Sequence, residues 1–168
     1  QPVMLLQAIT RHHATHVWLP NFAYNFMATR IRDAALTGVN LAELRWVINC
    51  SEPVYADSHR VFLKKFAPYG LKESALRVCY AMAENTFAVT QTARKTLPRI
   101  DLIDRRRFAE DKIAAPAEND APNMEIVSCG VPLPNTQVRV IGAEGTVLPD
   151  RHVGEIELLS DCMLTGYD

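Results

Sequence analysis

The chain has 168 residues, 48% of them hydrophobic and 22% charged, the make-up of one globular domain or a large part of one. Its formal net charge of -1 gives no field that would draw a nucleic acid or an anionic membrane, and no apolar run approaches the roughly 18 residues of a transmembrane helix. Cys50, Cys79, Cys129 and Cys162 lie far apart without Cys-x-x-Cys spacing, as expected of a reduced, cytoplasmic chain rather than a disulfide scaffold. Along the chain, Pro2 suits a first helical position, and Leu5, Leu6 and Ile9 give one apolar stripe that fades into Arg11-His12-His13. His16-Val17-Trp18-Leu19 predicts a buried strand stopped by Pro20. Asn21 is expected to cap the next helix, where Ala23, Met27 and Ile31 recur every four residues until Gly38 ends the pattern. A second strand at Arg45-Trp46-Val47-Ile48-Asn49 is followed by a break at Pro53. The next helix starts at Asp57 or Ser58, carries Val61, Phe62 and Phe66 on one face, and stops at Pro68 and Gly70. A third strand is predicted at Leu76-Arg77-Val78-Cys79-Tyr80 and a fourth within 86–92. This alternation argues for an α/β fold, with a mainly parallel sheet flanked by helices.

From 93 to 123 the pattern dissolves, and a surface insertion with one short helix is expected there, either a functional insertion or a partly disordered loop. Arg105-Arg106-Arg107 reads as a solvated charge run, with phosphate binding as the alternative. Beyond it the period becomes two at 137–141 and 154–159, on either side of a Gly142-Ala143-Glu144-Gly145 turn, which predicts a β-hairpin or meander. His12 and His16 have the i,i+4 spacing of metal ligands, but the helix is expected to end between them, so a polar helix end is the better reading. Gln1, which is not an initiator methionine, and an uncapped finish at Met163-Leu164-Thr165-Gly166-Tyr167-Asp168 lead us to expect a piece of a longer protein.

Ligands of open α/β sheets collect outside the carboxyl ends of the strands. Three loops qualify: Pro20-Asn21-Phe22-Ala23-Tyr24, Asn49-Cys50-Ser51-Glu52-Pro53-Val54, and Cys79-Tyr80-Ala81-Met82-Ala83-Glu84-Asn85-Thr86. An aromatic ring, two carboxylates and several small residues at adjacent strand ends could hold a planar ring and a metal-bound phosphate, although composition alone does not identify adenylate chemistry. By residue type alone, Tyr80 is more often a half-buried packing tyrosine than an adenine platform, and Glu84 could simply be an early-turn carboxylate favoured by the helix dipole. Phe22 and Tyr24 could be core or tunnel lining.

These loops resemble those of adenylate-forming enzymes, the group of fatty-acyl-AMP ligases and acyl-CoA synthetases. The third is similar to their Tyr-Gly-x-x-Glu segment, which implies that Tyr80 packs beside adenine, with Ala81, Met82 and Ala83 around the nucleotide, and that Glu84 is the catalytic carboxylate that helps hold Mg²⁺. The second resembles a Gly-Ala-Glu-Pro segment that lines adenine, through Ser51, Glu52 and Pro53. The first resembles the Pro-Asn-Phe-Ala-Tyr segment of fatty-acyl-AMP ligases, which implies acyl contacts for Asn21, Phe22 and Tyr24. Val127-Ser128-Cys129-Gly130-Val131-Pro132-Leu133-Pro134, Val153-Gly154-Glu155-Ile156 and Gly166-Tyr167 resemble the approach to a small β-rich subdomain and its markers. The implied division is an α/β part at 1–128, with the insertion at 93–123, and the start of a β-rich subdomain at 129–168. The resemblance runs through nearly the whole chain in the same order. It implies ATP and Mg²⁺ as cofactors, a fatty or other carboxylic acid as substrate, and an acyl carrier protein or coenzyme A as acceptor. Ala81 and Cys50 stand where that group usually has glycine. Its phosphate loop and its catalytic lysine are absent from these residues, so the chain alone is expected to be inactive. A degenerate, non-catalytic α/β interaction module is the rival reading.

Overall fold

The computed structural model describes residues 1–118 and 121–167. Helix α1 (Val3–His12) buries Leu6 and Ile9 and closes at His13, whose φ of 52° is left-handed. Ala14 N then donates to Ile9 O at 3.0 Å, the closure a glycine usually provides. Strand β1 (His16–Pro20), helix α2 (Asn21–Arg30), strand β2 (Trp46–Cys50), helix α3 (Ala56–Phe66) and strand β3 (Leu76–Ala81) follow in the expected alternation. Strands β1, β2 and β3 pair in parallel. Because side chains alternate along a strand, one face of this sheet sends Leu19, Val47 and Leu76 into the main core with Leu6, Ile9, Tyr24, Met27, Phe62 and Phe66. On the other face Ile48, Cys50 and Cys79 pack with Trp46, Ala81 and Ala88.

Strand β4 (Ala88–Gln91) departs from the parallel pattern expected of it. It runs antiparallel to β3, with a register shift at Tyr80/Ala81. The connection holds only a 3-10 turn at Ala83–Asn85 and is pinched by a Met82 N–Phe87 O hydrogen bond of 2.8 Å. That is far too short for the crossover a parallel neighbour needs.

The insertion is more ordered than the sequence implies. It contains strand β5 (Ile100–Asp104) and helix α4 (Arg105–Glu110), and β5 pairs antiparallel along its whole length with β6 (Asn123–Val127). Only Ile103 of β5 is fully buried, while Ile100 and Leu102 remain 44% and 47% exposed. The apolar alternation therefore does not mark the buried side, and the partner strand lies well downstream. Arg60 of α3 forks onto Glu125 of β6 through Nη2–Oε1 at 2.5 Å and Nη1–Oε2 at 2.8 Å, tying this unit to the main core. Asn119, Asp120 and Asp168, which fall within the expected insertion and the final segment, lie outside the described residues.

Helix α4 is capped by Asp104, which accepts from Arg106 N at 2.8 Å and Arg107 N at 3.0 Å. The arginine run points outward into i,i+4 pairs, Arg106–Glu110 at 3.4 Å and Arg107–Asp111 at 3.3 Å. Exposed pairs of this kind contribute little. Changing Arg106 and Arg107 together to Gln is expected to lower Tm by no more than about 4 °C in a thermal melt. A larger drop would give the run a structural role.

Strand β7 (Val131–Pro132) pairs with β4 and completes a mixed sheet in the order β1-β2-β3-β4-β7. Strands β8 (Thr136–Ile141) and β9 (Glu155–Ser160) then form the hairpin that the period-two pattern predicts. Among the described residues no helix is long and apolar enough to cross a membrane.

Candidate active site

The parallel strands finish at one edge, where Pro20 lies opposite Cys50 and Asn49 opposite Val78. The three singled-out loops therefore leave the sheet side by side. Asn21 does not cap α2 as expected. Pro20 occupies the cap position in extended backbone and offers no side-chain hydrogen bond, so Asn21 is already the first helical residue. Its buried Oδ1 instead accepts from Asn49 Nδ2 at 3.0 Å and Tyr55 N at 3.2 Å. The helix start is capped from the second loop, where Glu52 Oε1 accepts from Phe22 N at 2.5 Å. A carboxylate there satisfies an N–H that the helix leaves free and meets the positive end of its dipole. Ser51 takes up a left-handed φ of 76° beside it, and Pro53 follows, exposed.

Tyr24 has no exposed surface. Its hydroxyl donates to Val47 O at 3.1 Å, and its ring packs on Phe62 and stacks on His59, with centroids 4.7 Å and 5.1 Å away. Burial pushes its pKa upward. Phe22, in contrast, is 61% exposed. His59 Nε2 lies 3.2 Å from Asn49 Nδ2. The amide nitrogen can only donate, so Nε2 accepts and the neutral ring carries its proton on Nδ1. Burial holds this imidazole at a pKa of about 4. An Asn21–Asn49–His59 chain thus runs from the first loop through β2 to α3. His59 was not singled out in the sequence, and Asn49 entered only as the first residue of the second loop, although a polar residue at the end of the apolar run of β2 was a usable signal.

In the third loop Tyr80 is half-buried, and its hydroxyl reaches Met82 Sδ at 3.9 Å. Ala81 packs on the cluster of Ile48, Cys50 and Cys79. Burial pushes the Cys79 thiol up to about 11, which keeps it protonated and unreactive. Ala83 and Glu84 lie in the 3-10 turn. The Glu84 carboxylate accepts a hydrogen bond from the Tyr167 hydroxyl, and its carbonyl accepts from Leu164 N at 2.7 Å. Thr86 Oγ1 donates to Cys162 O at 3.0 Å. The Tyr167 hydroxyl, followed by the turn's own backbone, holds Glu84 below the usual carboxylate range. Tyr167 had no sequence signal of its own beyond a motif match. The first two loops are thus bonded to each other, and the third to residues 162–167. Among the described residues no three His, Cys, Asp or Glu side chains gather where they could hold a metal ion.

This is the fold of the adenylate-forming ligases. A fatty acyl-adenylate ligase from L. pneumophila, solved in complex with acyl adenylate and pyrophosphate, matches 99% of the chain at a TM-score of 0.92 and 28% identity, over 29% of its own length. The chain belongs to the AMP-binding enzyme family, which matches it over residues 1–168. It is 36% identical over 152 residues to a long-chain-fatty-acid–AMP ligase of Mycobacterium marinum, covering 88% of this chain and 24% of that protein. It is 30% identical over 168 residues to a 4-hydroxyphenylalkanoate adenylyltransferase of Mycobacterium tuberculosis, covering 99% and 27%. A medium-chain-fatty-acid–acyl-carrier-protein ligase of Moorena producens is 29% identical over 171 residues, covering 99% and 29%. The chain therefore spans less than a third of these relatives.

Proposed function

We propose that the intact protein joins a fatty or related carboxylic acid to ATP, releasing pyrophosphate, and passes the acyl group to a thiol on a carrier protein or coenzyme A. The observation that carries this reading is the common edge of the three loops, with Glu52 locking the second onto the first and Glu84 presented by the third. The named relatives support the acid class and, in one case, the carrier protein. In the same proposal the β8–β9 hairpin begins a β-rich subdomain (129–168) beside an α/β part (1–128), and the protein works in the cytoplasm.

Among the described residues, Glu84 belongs to no group of three His, Cys, Asp or Glu side chains that could hold a metal ion by themselves. That fits Mg²⁺, which keeps waters and takes one or two carboxylates together with substrate phosphates, and does not fit an all-protein cage. When bound, Mg²⁺ would offset charge that builds on the phosphates during displacement. Tyr80 and Ala81-Met82-Ala83 would flank adenine on one side, and Ser51, Glu52 and Pro53 on the other. Phe22, exposed at the start of α2, would meet the acyl chain, with the buried Asn21 and Tyr24 anchoring that helix to β2 through Asn49 and Val47 O. Cys50 and Ala81, which replace usual glycines, turn into the buried apolar cluster on the sheet's second face, so their Cβ atoms are accommodated by packing.

Acid-dependent pyrophosphate exchange tests the reading. The intact protein is expected to show it and the 168-residue chain alone to lack it. Tyr80→Ala removes a stacking face of about 1–3 kcal/mol, so ATP should bind roughly tenfold to a hundredfold more weakly with unchanged metal dependence. Glu84→Gln keeps size but not charge, and should slow adenylation and raise the metal requirement. Folded variants with parental behaviour in all three measurements would leave the non-catalytic module as the better reading.

A further inference from the structure

We propose that Tyr167 is a positioning residue for Glu84: its hydroxyl fixes one carboxylate oxygen and leaves the other turned out for a cation. This rests on the reading of Glu84 as the metal-holding carboxylate. A lone glutamate on an exposed turn samples many rotamers, and ordering it on metal binding would weaken that binding. Here the turn is held from outside by one segment, 83 residues away in sequence at the carboxylate contact. Two bonds hold the turn at Glu84 itself and two residues beyond it, Leu164 N to Glu84 O at 2.7 Å and Thr86 Oγ1 to Cys162 O at 3.0 Å. The third, from Tyr167, reaches the carboxylate itself through Oε1. Tyr167 is 78% exposed, so ring packing does little to place it and the hydroxyl contact is what fixes the side chain. A phenol also suits the task chemically. It is a neutral donor, so it orients the carboxylate without cancelling its charge, as a lysine or arginine would. Hydrogen-bonding partners of ligating carboxylates act in this way in metal sites generally.

The test is Mn²⁺ binding to the intact protein in the presence of a non-hydrolysable ATP analogue, followed by the electron paramagnetic resonance of free Mn²⁺. Tyr167→Phe keeps the ring and removes only the donor. It is expected to weaken Mn²⁺ binding about tenfold, with Tm and metal-free binding of the analogue unchanged. Thr86→Val loosens the same segment without touching the carboxylate and should stay within about twofold of wild type, well under the loss expected for a ligand's partner. Glu84→Gln separates this inference from the one beneath it. Wild-type Mn²⁺ affinity in Glu84→Gln would overturn the metal reading of Glu84, and the positioning role with it. Weak binding in Glu84→Gln but wild-type binding in Tyr167→Phe would overturn positioning alone. Equal losses in Tyr167→Phe and Thr86→Val would also overturn it, because docking of the segment, rather than the hydroxyl, would then set the affinity.

Discussion

Gly130→Ala is expected to destabilise the fold by at least about 4 kcal/mol, a large fraction of what holds a domain of this size together. Gly130 has a φ of +92°, where an L side chain is strained, and a Cβ built there would lie 2.0 Å from both the carbonyl carbon and oxygen of Gln91 and 2.3 Å from Thr92 N. The obstacle is backbone, which cannot swing aside as a side chain can. It is also the backbone of β4, held on one side by β3 and on the other by β7. The neighbouring Thr90 Oγ1–Cys129 O bond of 2.8 Å pins the crossing segment in place. Gly145 provides the control, with a φ of +74° and nothing within 4 Å of where its Cβ would stand. Gly145→Ala should therefore lose only the conformational part, about 1–2 kcal/mol. Equilibrium denaturant unfolding of both variants reads the difference. Similar midpoint shifts at similar slopes would mean that the close approach of Gly130 to β4 is wrong.

The second large effect concerns acid. His59 is held neutral, at a pKa of about 4 against an ordinary 6.5. Between those values the unfolded chain binds a proton that the folded chain refuses, so stability rises with pH across this window. His59 should contribute its full share above about pH 6.5, lose about 3 kcal/mol as pH falls to about 4, and change little below that. The loss is concrete in the structure, since protonation at Nε2 would turn the acceptor facing Asn49 Nδ2 into a second donor beside the stacked Tyr24 ring. The wild-type chain and His59→Gln are compared by denaturant unfolding from pH 8 to 4. Glu84 and Glu125, both held below the usual carboxylate range, lose their contributions at lower pH and are common to both proteins. The difference curve should therefore isolate the imidazole, and parallel curves from pH 7 to 4 would show that His59 titrates normally.

Elements with local signals could be read from the residues alone. Leu6 and Ile9 on α1, Phe62 and Phe66 on α3, and the short β-branched and aromatic runs of β1, β2 and β3 were legible because a helix or strand writes its period into adjacent residues. The three loops were legible for the same reason, as unusual residues directly after such runs, and their shared edge follows from parallel strands. Other features depended on partners far along the chain and emerged only on packing. The direction of β4 was set by a pinched turn, and β5 became a strand because β6 came to pair with it. Tyr24, alternatively tunnel or core, went to the core because Val47 O, His59 and Phe62 surround it. The cap of α2 passed from Asn21 to Glu52, 30 residues from the N–H it serves, and Glu84 met Tyr167 across 83. Periodicity carries no record of such meetings. They form when packing brings separate segments within bonding distance, and only then does each donor have its acceptor.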